Sequence, residues 1–116
     1  MIITISIYLA GQKRSILTAT KNFNFETFGY TKHILEKADE RDIDLSQVEH
    51  TIEYGEKIAE YLNDRPYPSY LYLAFFSGTP LHVCFAKVSA KECRVITAYQ
   101  PNLLIFEKDF KNKRKK

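Results

Sequence analysis

The chain has 116 residues, 45% apolar and 27% charged, which is room for one domain with its own core and too apolar for a disordered segment. No apolar run approaches the roughly 20 residues of a membrane-spanning helix, and two cysteines beside three histidines exclude a disulfide scaffold and argue against a structural zinc cluster. The net charge of +3 sits at the end of the chain: residues 107–116 carry +4 and the remainder −1, so a uniformly basic, nucleic-acid-coating body is excluded.

The apolar start lacks a basic leader region and a small-residue cleavage pattern, so it does not read as a secretory signal. Ile3, Ile5, Ile7 and Leu9 alternate with Thr4, Ser6, Tyr8 and Ala10, the period of a strand with one buried face, and Gly11 ends it. A second strand over Ser15–Thr20 would complete a hairpin. The stretch 22–30 has no period and reads as a connection pinned to the body by Phe23, Phe25 and Phe28.

Thr31 is placed to cap a helix running to Arg41, with Ile34, Leu35 and Ala38 as its apolar stripe. Asp44 opens a second helix, with Gln47 three residues on as a capping box, Leu45, Val48 and Ile52 on the buried face, and Gly55 as terminator. This helical hairpin is acidic: residues 31–60 hold nine acids against four Lys or Arg. Strands are predicted over Lys57–Leu62, Tyr70–Phe76, Leu81–Val88 and Cys93–Tyr99. A loop with two prolines, NDRPYPS, follows the first, and short SGTP and SAKE turns join the others. The fold class is therefore α+β: two helices followed by a four-stranded antiparallel sheet, with an N-terminal strand or hairpin extension. The Lys-rich end reads either as a solvated tail or as the completion of a local basic groove.

The stretches YTKHILEKADERDIDLSQVEHTI, DRPYPSYLYLAFFSGTPLHVCFA, VITAYQPN and FEKDFKNKRK resemble the domain-of-unknown-function 4258 family, small prokaryotic proteins related to RelE/ParE toxins and to MqsR-type ribonuclease toxins. The block DRPYPS…GTPLHV is the most specific part. The resemblance divides the chain into an extension (1–29), a RelE-like α+β domain (30–106) and a basic tail (107–116). It implies a metal-independent endoribonuclease toxin acting on single-stranded RNA, with no cofactor and a zinc-finger antitoxin as protein partner. The alternative of the same fold is a non-catalytic protein- or RNA-binding module. Either would be cytoplasmic, which suits two unpaired thiols.

Metal-independent RNA cleavage needs a base for the ribose 2′-hydroxyl, an acid for the leaving oxygen and a cation for the phosphate. His33 matches the family's helix-start histidine, and Lys37 follows one turn later, both away from the Ile34/Ala38 stripe. A helix N-terminus favours neutral imidazole, the base form. Otherwise His33 is a surface or capping residue. Arg41 matches the arginine ending the family's first helix, as a phosphate ligand or as a cap pairing with Asp42 or Asp44. With a two-residue turn at Ala90–Lys91, paired residues sum to 181. His82 then faces Tyr99, Cys84 faces Thr97, and His82, Thr97 and Tyr99 share one sheet face. That is either a catalytic cluster or a buried network in which Tyr99 satisfies His82. The same register sets Lys87 beside Arg94. Arg65, Lys111, Lys113 and Arg114 complete the candidate phosphate ligands. His50 reads as plain surface, Cys84 lacks a nucleophile's partner, and no glycine-rich phosphate loop or metal-spaced motif is present.

Overall fold

The structure, a computed structural model, describes residues 2–9 and 12–114, with side chains described from Thr20 onward. Gly11 as a terminator, the buried face expected of the first strand, and Lys115 and Lys116 lie outside that description. The first two strands, β1 (Ile2–Leu9) and β2 (Gln12–Thr20), pair antiparallel as a separate two-stranded sheet. The body contains β3 (Thr27–Gly29), α1 (Lys32–Glu40), α2 (Leu45–Tyr54), β4 (Glu56–Tyr61), β5 (Ser69–Phe76), β6 (Thr79–Lys87) and β7 (Glu92–Tyr99). No described helix is long and apolar enough to cross a membrane.

The caps set the helices. The Thr31 hydroxyl accepts from the Ile34 amide at 3.2 Å, satisfying one of the orphan donors of the first turn. The Asp44 carboxylate accepts from the Ser46 amide at 2.9 Å and from the Ser46 hydroxyl at 2.8 Å, so Ser46 supplies the cap contact that the spacing assigned to Gln47. Ile34 and Ala38 are buried, but Leu35 is exposed and leaves the predicted stripe. From α2, Val48, Thr51 and Ile52 are buried; the Thr51 hydroxyl escapes a desolvation penalty by donating to the Gln47 carbonyl at 2.7 Å. Gly55 ends α2 with an ordinary negative φ. Its lack of a side chain matters for space: a Cβ would lie 2.4 Å from the Thr51 carbonyl oxygen and 2.8 Å from that of Leu73.

The main sheet corrects the expected four antiparallel strands. It has five strands in the order β3-β7-β6-β5-β4, and it is mixed. The meander β4 to β7 pairs antiparallel, and β3 joins the outer edge of β7 in parallel, Phe28 opposite Cys93. Three residues without alternation carry no strand signal. β3 exists because β7 offers an open edge and because the Glu26 and Thr27 amides are held by the Lys91 carbonyl.

The helices pack on one sheet face. Ile34, Ala38, Ile43, Val48 and Ile52 meet Tyr72, Leu81, Val83, Phe85, Cys93, Val95 and Ala98, with Phe25 buried in the same cluster and Phe23 and Phe28 against it. Residues of β5 and β6 that alternate with these, Leu73 opposite His82 among them, turn to the other face. Around Leu73 and His82 that face is also closed, by the chain after Tyr99.

Candidate functional site

His82 is on the second face of β6 and is 0% exposed. Its cross-strand partner is Tyr99, as expected, and Val83 faces Ala98 and Cys84 faces Thr97. The two-residue turn at Ala90–Lys91 that this register presupposes is not present: the Val88 amide donates to the Glu92 carbonyl around residues 89–91, and a bulge in β7 restores the count. One extra residue in β7, Ile96, then shifts the pairing by one toward the turn. Lys87 therefore faces Cys93 and Arg94 faces Ala86, so the expected Lys87–Arg94 neighbours are not a pair.

Both ring nitrogens of His82 are engaged. Nε2 lies 2.6 Å from the Phe110 carbonyl oxygen and Nδ1 lies 3.1 Å from the Tyr99 hydroxyl. A carbonyl only accepts, so Nε2 carries the proton and donates it; Nδ1 of the neutral ring then accepts from Tyr99. Phe106 is buried and meets the imidazole edge-on at 4.7 Å between centroids. Burial lowers the His82 pKa from its ordinary 6.5, against a smaller upward pull from the Phe110 carbonyl. Burial raises the Tyr99 phenol and the Cys84 thiol above their ordinary values, so neither is an activated nucleophile.

The contact with Phe110 sets aside the solvated-tail alternative for the residues up to Arg114. Residues 101–114 fold back over the sheet. Phe110 packs beside Phe75 at 6.3 Å, Lys111 pairs with Glu56 at 3.0 Å, and Phe106 bridges Lys113 through the backbone. The FEKDF pattern, two aromatics four residues apart, was the available signal, masked in the sequence by the surrounding lysines.

The other candidates are dispersed. Thr97 shares the sheet face of His82 and Tyr99, as expected from the register, but is half-buried and makes no side-chain hydrogen bond to either. Arg41 donates to the Ala98 carbonyl at 2.8 Å, along the stretch of β7's outer edge that β3 leaves unpaired. It is committed to the backbone rather than to Asp42 or Asp44. His33 is exposed on the first turn of α1, and Lys37 pairs with Glu40 at 3.2 Å. Arg65 is exposed, donating to the Asn63 carbonyl at 3.3 Å within its own loop. Arg114 pairs with Glu107 at 3.3 Å and donates to the Leu103 carbonyl. A hollow of about 290 Å³ is lined by Ala38, Asp39, Asp42, Ile43 and Asp44. Its three carboxylates repel phosphate, and none of the candidate residues lines it. Among the described residues, no group of three or more His, Cys, Asp or Glu is arranged to hold a metal.

No curated protein and no solved structure matches the chain. One family model does, over residues 30–100, from just before α1 to just past β7. The chain belongs to that family, the domain of unknown function DUF4258.

Proposed function

We propose that the chain is the RelE-like half of a toxin–antitoxin type of protein pair, acting in the state described above by binding its partner rather than by cleaving RNA. The order of two helices and then an antiparallel β4–β7 meander supports kinship with RelE/ParE toxins. The observation that carries the reading is the burial of His82 with both ring nitrogens bonded. A general base must reach its proton within hydrogen-bond distance, and this one meets no solvent. Arg41 gives one of its donors to the Ala98 carbonyl and so is held against the β7 edge, away from His82's buried ring. The partner expected is a small zinc-finger antitoxin, and two free thiols suit a reducing cytoplasm.

One observation favours a second reading, a metal-independent endoribonuclease held closed. His82 and Tyr99 form a base and a phenol in contact, beside a segment rich in cations. The test is induced expression without the partner, followed by growth and cellular RNA length. Binding without cleavage predicts intact RNA, with and without ribosomes, and a complex with the neighbouring gene's product on size exclusion. Shortened RNA in the parent, lost in a folded His82→Gln variant and kept in His33→Ala, would install the endoribonuclease with His82 as its base.

A further inference from the structure

The segment that covers His82 is tied mostly to itself. Asn102 accepts from the Leu104 and Ile105 amides through its side chain and from Ile105 and Phe106 through its carbonyl. Asp109 accepts from the Lys111 and Asn112 amides and from the Asn112 side chain. Arg114 joins the two ends, reaching the Leu103 carbonyl and Glu107 with its side chain and the Ile105 carbonyl with its amide. Among the described residues, the hydrogen bonds from this segment to the sheet are His82 to Phe110 and Lys111 to Glu56. The second is a solvent-exposed ion pair, a class that adds little. The rest of the attachment is packing: Phe106, itself buried, meets His82, Phe110 lies beside Phe75, and Pro101 is buried where the segment leaves β7. Just before Phe106 the segment is loosely bedded: Leu103, Leu104 and Ile105 are 49%, 90% and 51% exposed.

Lifting the segment breaks few hydrogen bonds to the sheet, and its own hydrogen bonds, once off the sheet, lie open to water and melt with it. The sheet below keeps its strand pairing and the whole helix-side core, which lies on the other face. Such a division of contacts is what allows one part of a protein to open below the free energy of global unfolding.

We propose that residues 101–114 form a cover that opens as a unit while the sheet stays folded, and that this opening controls access to His82 and Tyr99. Its use in chemistry rests on the endoribonuclease reading; the opening itself does not. When the cover lifts, the Phe110 carbonyl leaves Nε2 and the Phe106 ring leaves the imidazole face. His82 then meets water with Tyr99 still opposite it across the ladder. The groups around the closed ring are Leu73 from β5, Tyr99 from β7 and Phe106 and Phe110 from the cover, with the Glu56–Lys111 pair as the charged contact that joins cover to sheet.

Native-state hydrogen exchange on the full chain, without RNA, tests this. The reporters are the Phe106, Glu107, Phe110 and Arg114 amides, each bonded within the cover, against the Val83 and Val95 amides of the sheet. The cover amides should exchange together, at least about 100-fold faster than the sheet amides, with a shallower urea dependence. Lys111→Glu, which sets two acids against each other at an exposed site, should speed the cover amides several-fold and leave the sheet amides unchanged. Cover and sheet amides with one rate and one urea dependence would overturn the proposal, because the cover would then open only by global unfolding. Cover amides that exchange independently of one another would overturn it too, because no unit would exist. Neither result depends on whether the protein acts on RNA, so a failed cover and a failed ribonuclease reading are told apart.

Discussion

His82 is neutral because its surroundings leave no alternative: a charged imidazolium there would lose water and gain only a carbonyl and a phenol in return. The consequence for stability has a definite sign. The folded pKa lies below the unfolded value near 6.5, so the unfolded chain takes up the proton first. His82 therefore contributes stability that is fully present above about pH 6.5 and is lost as the pH falls below it toward the folded pKa. Urea melts between pH 7.5 and 5 should show a steeper loss for the parent than for His82→Leu. Equal slopes would mean that His82 is not buried in solution. At neutral pH the same variant should cost about 1–3 kcal/mol, since the Phe110 carbonyl and Tyr99 hydroxyl lose their partner. The assumed two-residue turn is not the one formed, and the His82–Tyr99 pairing holds because the extra residue Ile96 in β7 offsets the difference. That pairing was anticipated from two strands joined by a short turn. The Phe110 contact was not, since it depends on a chain reversal after Tyr99 that no periodicity encodes.

Among the elements, the helices were the most legible. Thr31 and Asp44 cap, and residues at helical spacing bury, because both signals are local. The pairings of β5 with β6 and of β6 with β7 follow from short connections for the same reason. What was missed depends on distant chain. β3 has a partner more than sixty residues away in sequence, and the β7 bulge at Ile96 interrupts no alternation that the sequence displays. Gly55 shows how an element boundary can be set by crowding. Gly55→Ala should destabilise the fold by about 1–3 kcal/mol or more, because the atoms in the way are backbone carbonyls that cannot swing aside. Thermal unfolding checks this; a neutral substitution would show that α2 and β5 can move apart. Arg41 works at the same scale, closing part of an open strand edge with a guanidinium. Arg41→Ala should cost about 1–2 kcal/mol, and its effect should appear in amide exchange near Ala98 and Tyr99 before it appears elsewhere.

For the whole molecule, the family match at 30–100 is shorter than the folded unit. Phe25 is buried in the core and β3 completes the sheet before residue 30, and Phe106 seals His82 after residue 100. A chain trimmed to 30–100 should bare the β7 edge and the His82 face together, and should aggregate where the full chain stays dispersed. Light scattering during expression and refolding would show it; a monodisperse, cooperatively melting 30–100 fragment would place β3 and the cover outside the folding unit. Legibility at this scale was lowest. Net charge located the cations at the end of the chain but not their use, because Lys111 and Arg114 pair at home with Glu56 and Glu107.

The parallel pairing of β3 with β7 also orders events in time. β3 emerges from the ribosome long before its partner, and at about 5–20 residues per second the wait lasts several seconds. Throughout that interval Phe23, Phe25 and Phe28 have no finished sheet to pack against. The newborn chain is therefore most exposed to chaperone capture while β4 to β6 are being made, and slowing translation within that stretch should lower the yield of folded protein more than slowing it after Tyr99.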